Sequence, residues 1–246
     1  MINLLYIKHN KEEIARKRNE ISKILKSNST SFNSNSIKTM STADLDLLFR
    51  LYDKMFSANW FAEVFKGKIK FSLSRRMTRS AGFTLCPKNI SKINQEDLII
   101  EIRIGVDFFF QYDLVEGNKA VCGIKTSNGL EALQIVFEHE LCHVIEYISF
   151  YNSNCSGDRF KEIANNIFAH TESYHKLPTN REIAKHKFGL SIGDTVSFSF
   201  EGKNLTGIVY NINKRATVMV KSKDGQFVDE QGKRHNKYYV PLVHLK

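Results

Sequence analysis

Between Leu133 and Phe150 the chain reads LQIVFEHELCHVIEYISF, apolar almost throughout except for Glu138, His139, Glu140, His143 and Glu146. Ionisable groups inside so apolar a run need partners, because a buried carboxylate or imidazole without one is costly. Leu133, Phe137, Leu141, Val144 and Ile148 recur at helical spacing and form one stripe, with His139, His143 and Glu146 projecting from the opposite face. Val136, Cys142 and Ile145 make that second face largely apolar too. The pattern predicts a core helix with polar groups aimed into an internal cleft, rather than a surface helix with two solvated histidines. Asn128 with Glu131 three residues later supplies its N-cap. His139-Glu140-Leu141-Cys142-His143 is an H-E-x-x-H motif. Residues four apart lie one above the other, so both imidazoles can grip one Zn²⁺ while Glu140 reaches a water on the metal. That combination points to hydrolytic chemistry.

Length and composition bound the rest. At 246 residues the chain is long enough for one medium domain and a small one. No apolar run approaches the ~20 residues that span a bilayer. Met1 to His9 is too short, and too soon followed by Lys11, Glu12 and Glu13, to be a secretory signal. The four cysteines, Cys86, Cys122, Cys142 and Cys155, are too scattered for a disulfide framework, and one lies inside the motif. A reducing, cytoplasmic setting is expected. The 36 Lys and Arg against 26 Asp and Glu give +10, with a pI near 9.3, a balance that favours polyanionic partners.

Composition shifts divide the chain into three. Residues 1–36 are expected to form a basic helix and a Ser/Asn-rich linker, SNSTSFNSNS, too polar to bury anything. Ser41 and Asp44 form a capping box opening a helix that carries Leu45, Leu48, Phe49, Tyr52 and Phe56 at core spacing. Strands are expected at 68–73 and 98–104, and after the motif helix a loop at 152–158 precedes a helix over 160–168 that returns antiparallel. The main domain is thus read as 37–189. From Gly193 the pattern changes to short strands at 196–200, 205–212, 216–220 and 237–240, so residues 190–246 are read as a small β-barrel.

In this order, the pieces resemble the SprT-like zinc metallopeptidases, whose Spartan members digest proteins crosslinked to DNA. The resemblance rests on Ser74 to Gly82 (SRRMTRSAG), the strand Ile99 to Ile104, HELCH at 139–143 and Gly157-Asp158-Arg159-Phe160, which resembles the family's H-G-x-x-F element. It covers about residues 38–186, and the tail looks like the small barrel of bacterial relatives. It implies an α+β architecture: a zincin-like metallopeptidase domain, with helices around a small sheet, followed by an SH3-like β-barrel.

The family's third zinc ligand is the His of H-G-x-x-F, and here that position is Ser156, whose hydroxyl is a poor zinc ligand. Cys155 in the same loop is the favoured replacement and His170 the alternative, since a returning helix rises ~15 Å by that point and comes level with the motif. Glu146, ~10 Å from His139 along the helix, is expected to orient a ligating His rather than bind metal. Tyr174 and His175 are candidates for oxyanion stabilisation. The expected activity is Zn²⁺-dependent peptide hydrolysis with Glu140 as general base, on protein or peptide substrates, including DNA-associated ones as the resemblance implies. Lys214, Arg215, Lys221 and Lys223 are the candidate nucleic-acid contacts. The rival reading is an inactive nucleic-acid-binding or protein-binding chain with a structural or remodelled metal site. No membrane partner is expected.

Overall fold

The computed structural model describes residues 4–34 and 36–246, in two compact units, Met1–Leu177 and Pro178–Lys246. Residues 1–3 and 35, within the expected N-terminal helix and linker, lie outside the described residues. The first unit runs α1 (Lys11–Asn28), α2 (Thr42–Phe56), α3 (Trp60–Val64), β1 (Lys68–Ser74), β2 (Gly82–Leu85), β3 (Ile99–Gly105), α4 (Asp107–Phe110), β4 (Lys119–Val121), β5 (Ile124–Thr126), α5 (Gly129–Phe150), α6 (Asp158–Phe168) and β6 (His175–Lys176). One sheet has the order β1-β3-β2, with β1 parallel and β2 antiparallel to β3, and a second has the order β5-β4-β6.

Helix α5 is the axis of this unit. Of its 22 residues 17 are buried, which makes it a core helix rather than an amphipathic surface one. Asn128 caps it, its side chain accepting from the backbone N–H groups of Leu130 and Glu131. The expected capping box of α2 forms at Ser41 and Asp44, and Leu45, Leu48, Tyr52 and Phe56 are buried with Phe137 of α5 in one core. Helix α6 doubles back along α5. Phe160 at its start lies against the rings of His139 and His143, and the carbonyl of Phe168 at its end meets the same guanidinium as Glu138.

The N-terminal segment is not a separate basic arm. Ile14, Ile21 and Leu25 of α1 are buried in the same core. Arg18 makes a two-pronged ion pair with Glu138, at 2.7 and 2.6 Å. The Ser/Asn-rich stretch is likewise anchored, with Phe32 fully buried and the Ser29 hydroxyl donating to Asp44. One buried phenyl ring and one buried hydroxyl anchor this otherwise polar stretch against the core.

The second unit contains α7 (Asn180–Phe188), β7 (Thr195–Phe200), β8 (Lys203–Ile212), β9 (Arg215–Lys221), β10 (Phe227–Val228) and β11 (Arg234–Pro241). Its boundary falls at 177/178 rather than 189/190, because Ala184 and Leu190 join the core of Val196, Phe198, Val209, Ile212 and Val218. The five strands form one antiparallel sheet of order β10-β11-β9-β8-β7. The expected barrel does not close among the described residues. The terminal strands β10 and β7 do not pair with each other, and Ser197 of β7 instead exchanges backbone hydrogen bonds with Lys246. No helix among the described residues is long and apolar enough to cross a membrane.

The Arg18–Glu138 pair gives the first prediction. Glu138 is fully buried, so Arg18→Met should destabilise the chain by about 3 kcal/mol, the low end for breaking a buried pair, since two neutral partners remain. Urea unfolding at neutral pH measures the difference, and a change below about 1 kcal/mol would show that the pair is not a main support.

Candidate metal centre

Three consecutive residues of α5 point three ways. Glu138 faces the core between α1, α2 and α6, His139 faces the cleft, and Glu140 faces β2. Successive helical residues are about 100° apart around the axis, so one short stretch serves a structural cluster and a chemical one.

Glu138 receives Arg18, the Tyr52 hydroxyl at 2.7 Å and His170 Nε2 at 2.8 Å. Burial opposes its charge, but Arg18 and His170 hold its carboxyl below the usual carboxylate range. His170, the alternative third ligand, is therefore committed to Glu138 and belongs to neither metal-competent group. The helical rise brings it level with the motif, as expected, but on the face of Glu138.

The cleft, about 600 Å³, is lined by His139, Glu140, His143, Cys155 and His175 from one side and by Arg79, Gly82, Phe83 and Thr84 from the other. Ligand atoms of His139, His143 and Cys155 lie within 4.8 Å of one another. Cys155 thus stands where a third ligand would, while Ser156 is exposed with its N–H on Asn154. Burial pushes the imidazoles down, His139 to about 2 and His143 to about 4, with His175 and His143 adding to the effect on His139. Both are neutral at physiological pH, the form that can ligate.

The tautomer of His143 follows from its neighbours. Ser153 Oγ donates to Glu146 Oε2 at 2.6 Å, so it accepts from His143 Nδ1 at 2.6 Å, leaving the Nε2 lone pair for the cleft. Glu146 is itself fixed by Arg159 at 2.6 Å and by the Asn154 N–H. It does not approach the cleft centre and acts on His143 through the serine.

Glu140 is buried against β2. Thr84 Oγ1 donates to its Oε2 at 2.7 Å, yet burial outweighs this and raises its carboxyl to about 7. Gly82 is required beside it, since a Cβ there would sit 2.5 Å from Glu140 Oε1. The segment read as SRRMTRSAG thus ends in a strand that packs its backbone on the motif helix.

His175 lies with its ring centroid 5.0 Å from that of His139. Burial lowers its pKa to about 4, and its Nε2 is buried with no hydrogen-bond partner among the described residues. Tyr174 lines the same cleft but is 61% exposed. A residue the sequence reading passed over, Cys122, stands behind His139 with Sγ 3.6 Å from Nδ1. Ligand atoms of Cys122, His139 and His175 form a second group within 4.8 Å. Cys122-Gly123 is a two-residue hairpin turn between β4 and β5 with positive φ at both positions, 51° and 78°. The sequence AVCGIKT carries that signal, a turn where Asn-Gly is usual and Cys is not.

The four candidate nucleic-acid contacts of the second unit, Lys214, Arg215, Lys221 and Lys223, do not form one patch. Lys221 and Lys223 line a hollow with Lys233 and Arg234, whereas Lys214 and Arg215 stand at the other end of β9, about 20 Å away at strand rise.

The chain matches no protein-family model, no curated protein and no solved structure. The functional argument therefore rests on this geometry. Ser153→Ala should weaken metal affinity about tenfold or more, the cost of losing the group that orients a ligating imidazole. Zn²⁺ competition titration measures it, and unchanged affinity would mean that the Ser153–Glu146 relay does not act on a ligand.

Proposed function

We propose that this chain is a zinc-dependent peptidase. The observation that carries the reading is the placement of a buried carboxylate with a pKa of about 7, Glu140, beside neutral His139 and His143 and the Cys155 thiol in one cleft. Two imidazoles and a thiolate are a donor set that suits zinc and leaves a position open. Zn²⁺ held by His139, His143 and Cys155 would polarise a peptide carbonyl and lower the pKa of a water in the cleft.

The chain's own residues do the rest. Glu140 takes the proton of the attacking water and returns it to the departing amine. Thr84 holds Oε2, so the carboxylate keeps one orientation through both transfers. His175 and Tyr174 face the cleft from β6 and the residue before it, where a donor can stabilise an oxyanion. Among the described residues β2 is an edge strand whose one strand neighbour is β3, so an extended substrate can add along its other edge beside Phe83. The motif order that resembles the SprT-like peptidases adds support.

Glu140→Gln is expected to keep the metal and abolish cleavage of an unfolded protein substrate, because it removes the base without touching a ligand. Metal content and a gel-based proteolysis assay measure the two effects separately. Cleavage retained by the variant would place the base elsewhere.

Charge favours a second activity in the same chain. Residues 178–246 contain 12 Lys and Arg against 6 Asp and Glu, so 28% of the length holds +6 of the total +10. In this reading the second unit binds DNA phosphates and brings the peptidase to DNA-associated proteins. Lys221→Glu with Lys223→Glu should lower the slope of log K against log salt for DNA by about 2, each lost phosphate contact contributing about 0.9. An unchanged slope would move the contact away from this hollow.

A further inference from the structure

We propose that Cys122, His139 and His175 form an inner metal position, distinct from the outer one of His139, His143 and Cys155, and that the two compete for His139. The inference rests on the peptidase reading only in taking the outer set as the working one.

Three observations carry it. The first is distance: donor atoms 2.0–2.3 Å from a tetrahedral zinc lie roughly 3.5 Å from one another, and Cys122 Sγ stands 3.6 Å from His139 Nδ1. The second is the kind of partner. A ligating histidine normally gives its other ring nitrogen to a carboxylate, a carbonyl or water, and His143 follows that rule through Ser153 and Glu146. His139 does not, because the atom facing its Nδ1 is a thiol sulfur, itself a strong zinc donor. The third is His175, whose buried Nε2 has no partner among the described residues although it lies beside His139.

The backbone has been bent to present this sulfur. Cys122 holds a left-handed conformation at φ 51°, where Asn, Asp or Gly would be strain-free. It is pinned there from two sides. Its N–H donates to the Tyr174 carbonyl, and its own carbonyl accepts from Thr171 and Glu172. The adjacent Gly123 admits no side chain against Thr171. The segment that fixes Cys122 is the one that leads into His175, so the two donors are positioned by the same contacts.

Competition follows from the chemistry of imidazole. Neutral His139 has one nitrogen lone pair and one N–H. Through Nε2 it serves the outer set with Nδ1–H towards Cys122, and through Nδ1 it serves the inner set. Binding at the inner position releases the Cys122 thiol proton to solvent as the Zn–S bond forms. The ion is then held by Cys122 and His175 in place of His143 and Cys155, so the inner form is metal-loaded with the outer ligand set broken.

The test uses the full chain with both exclusive outer ligands removed, His143→Ala with Cys155→Ser, stripped by chelator and titrated with Co²⁺. One equivalent should bind, with a thiolate-to-cobalt charge-transfer absorption. Adding Cys122→Ser should abolish that absorption, and adding His175→Ala instead should weaken affinity by more than the roughly tenfold that loss of an orienting partner costs. The second addition alters a cleft wall rather than the core, so it decides the matter should Cys122→Ser not fold. No Co²⁺ binding by the double variant, or binding without a thiolate band, would overturn the inner position. A wild-type chain that binds metal but cleaves nothing would overturn the peptidase reading and leave this result untouched.

Discussion

A carboxylate buried with no exposure at all, Glu138, organises the first unit. It gathers a guanidinium from α1, a phenol from α2 and an imidazole from the segment after α6. Without these partners its desolvation would be prohibitive, so the four elements can settle only in the arrangement that brings them together. That arrangement fixes the rotation of α5 about its own axis. Since His139 and Glu140 follow Glu138 directly, the rotation also decides which way the chemical groups point. The core cluster therefore sets the register of the cleft.

The cleft has a different physical character from that cluster. Around Glu138 every charge is met by an opposite one. Around His139 and Glu140 burial outweighs what partners there are, leaving imidazoles neutral and a carboxyl near 7. Groups held in a form they would not adopt in water are a hallmark of reactive or ligating sites. The two environments lie back to back on one helix turn.

Much of this was legible beforehand. The core helix, its Asn128 cap, the α2 capping box and the pairing of His139 with His143 follow from periodicity, capping chemistry and short-range spacing, whereas Cys155 came from the family resemblance, as the neighbour of Ser156. What sequence could not supply was long-range pairing. Nothing near Arg18 announces a partner 120 residues away, so α1 read as a basic helix outside the main domain. His170 read as the alternative third ligand because axial rise along a helix is predictable while the face it meets is not. Cys122 was hidden because its place beside His139 depends on a hairpin being folded against a distant helix. The second unit read as a barrel since alternating strands establish a sheet but not whether its ends meet.

Strand β2 carries one more consequence. A strand at the edge of a sheet invites pairing with a second copy of itself. Here the exposure is confined to four residues, and the approach to it runs through Arg75, Arg76 and Arg79. Two such edges brought together would oppose like charges at close range, whereas an incoming neutral or acidic segment would not. The arginines that precede this strand therefore act against self-assembly along it.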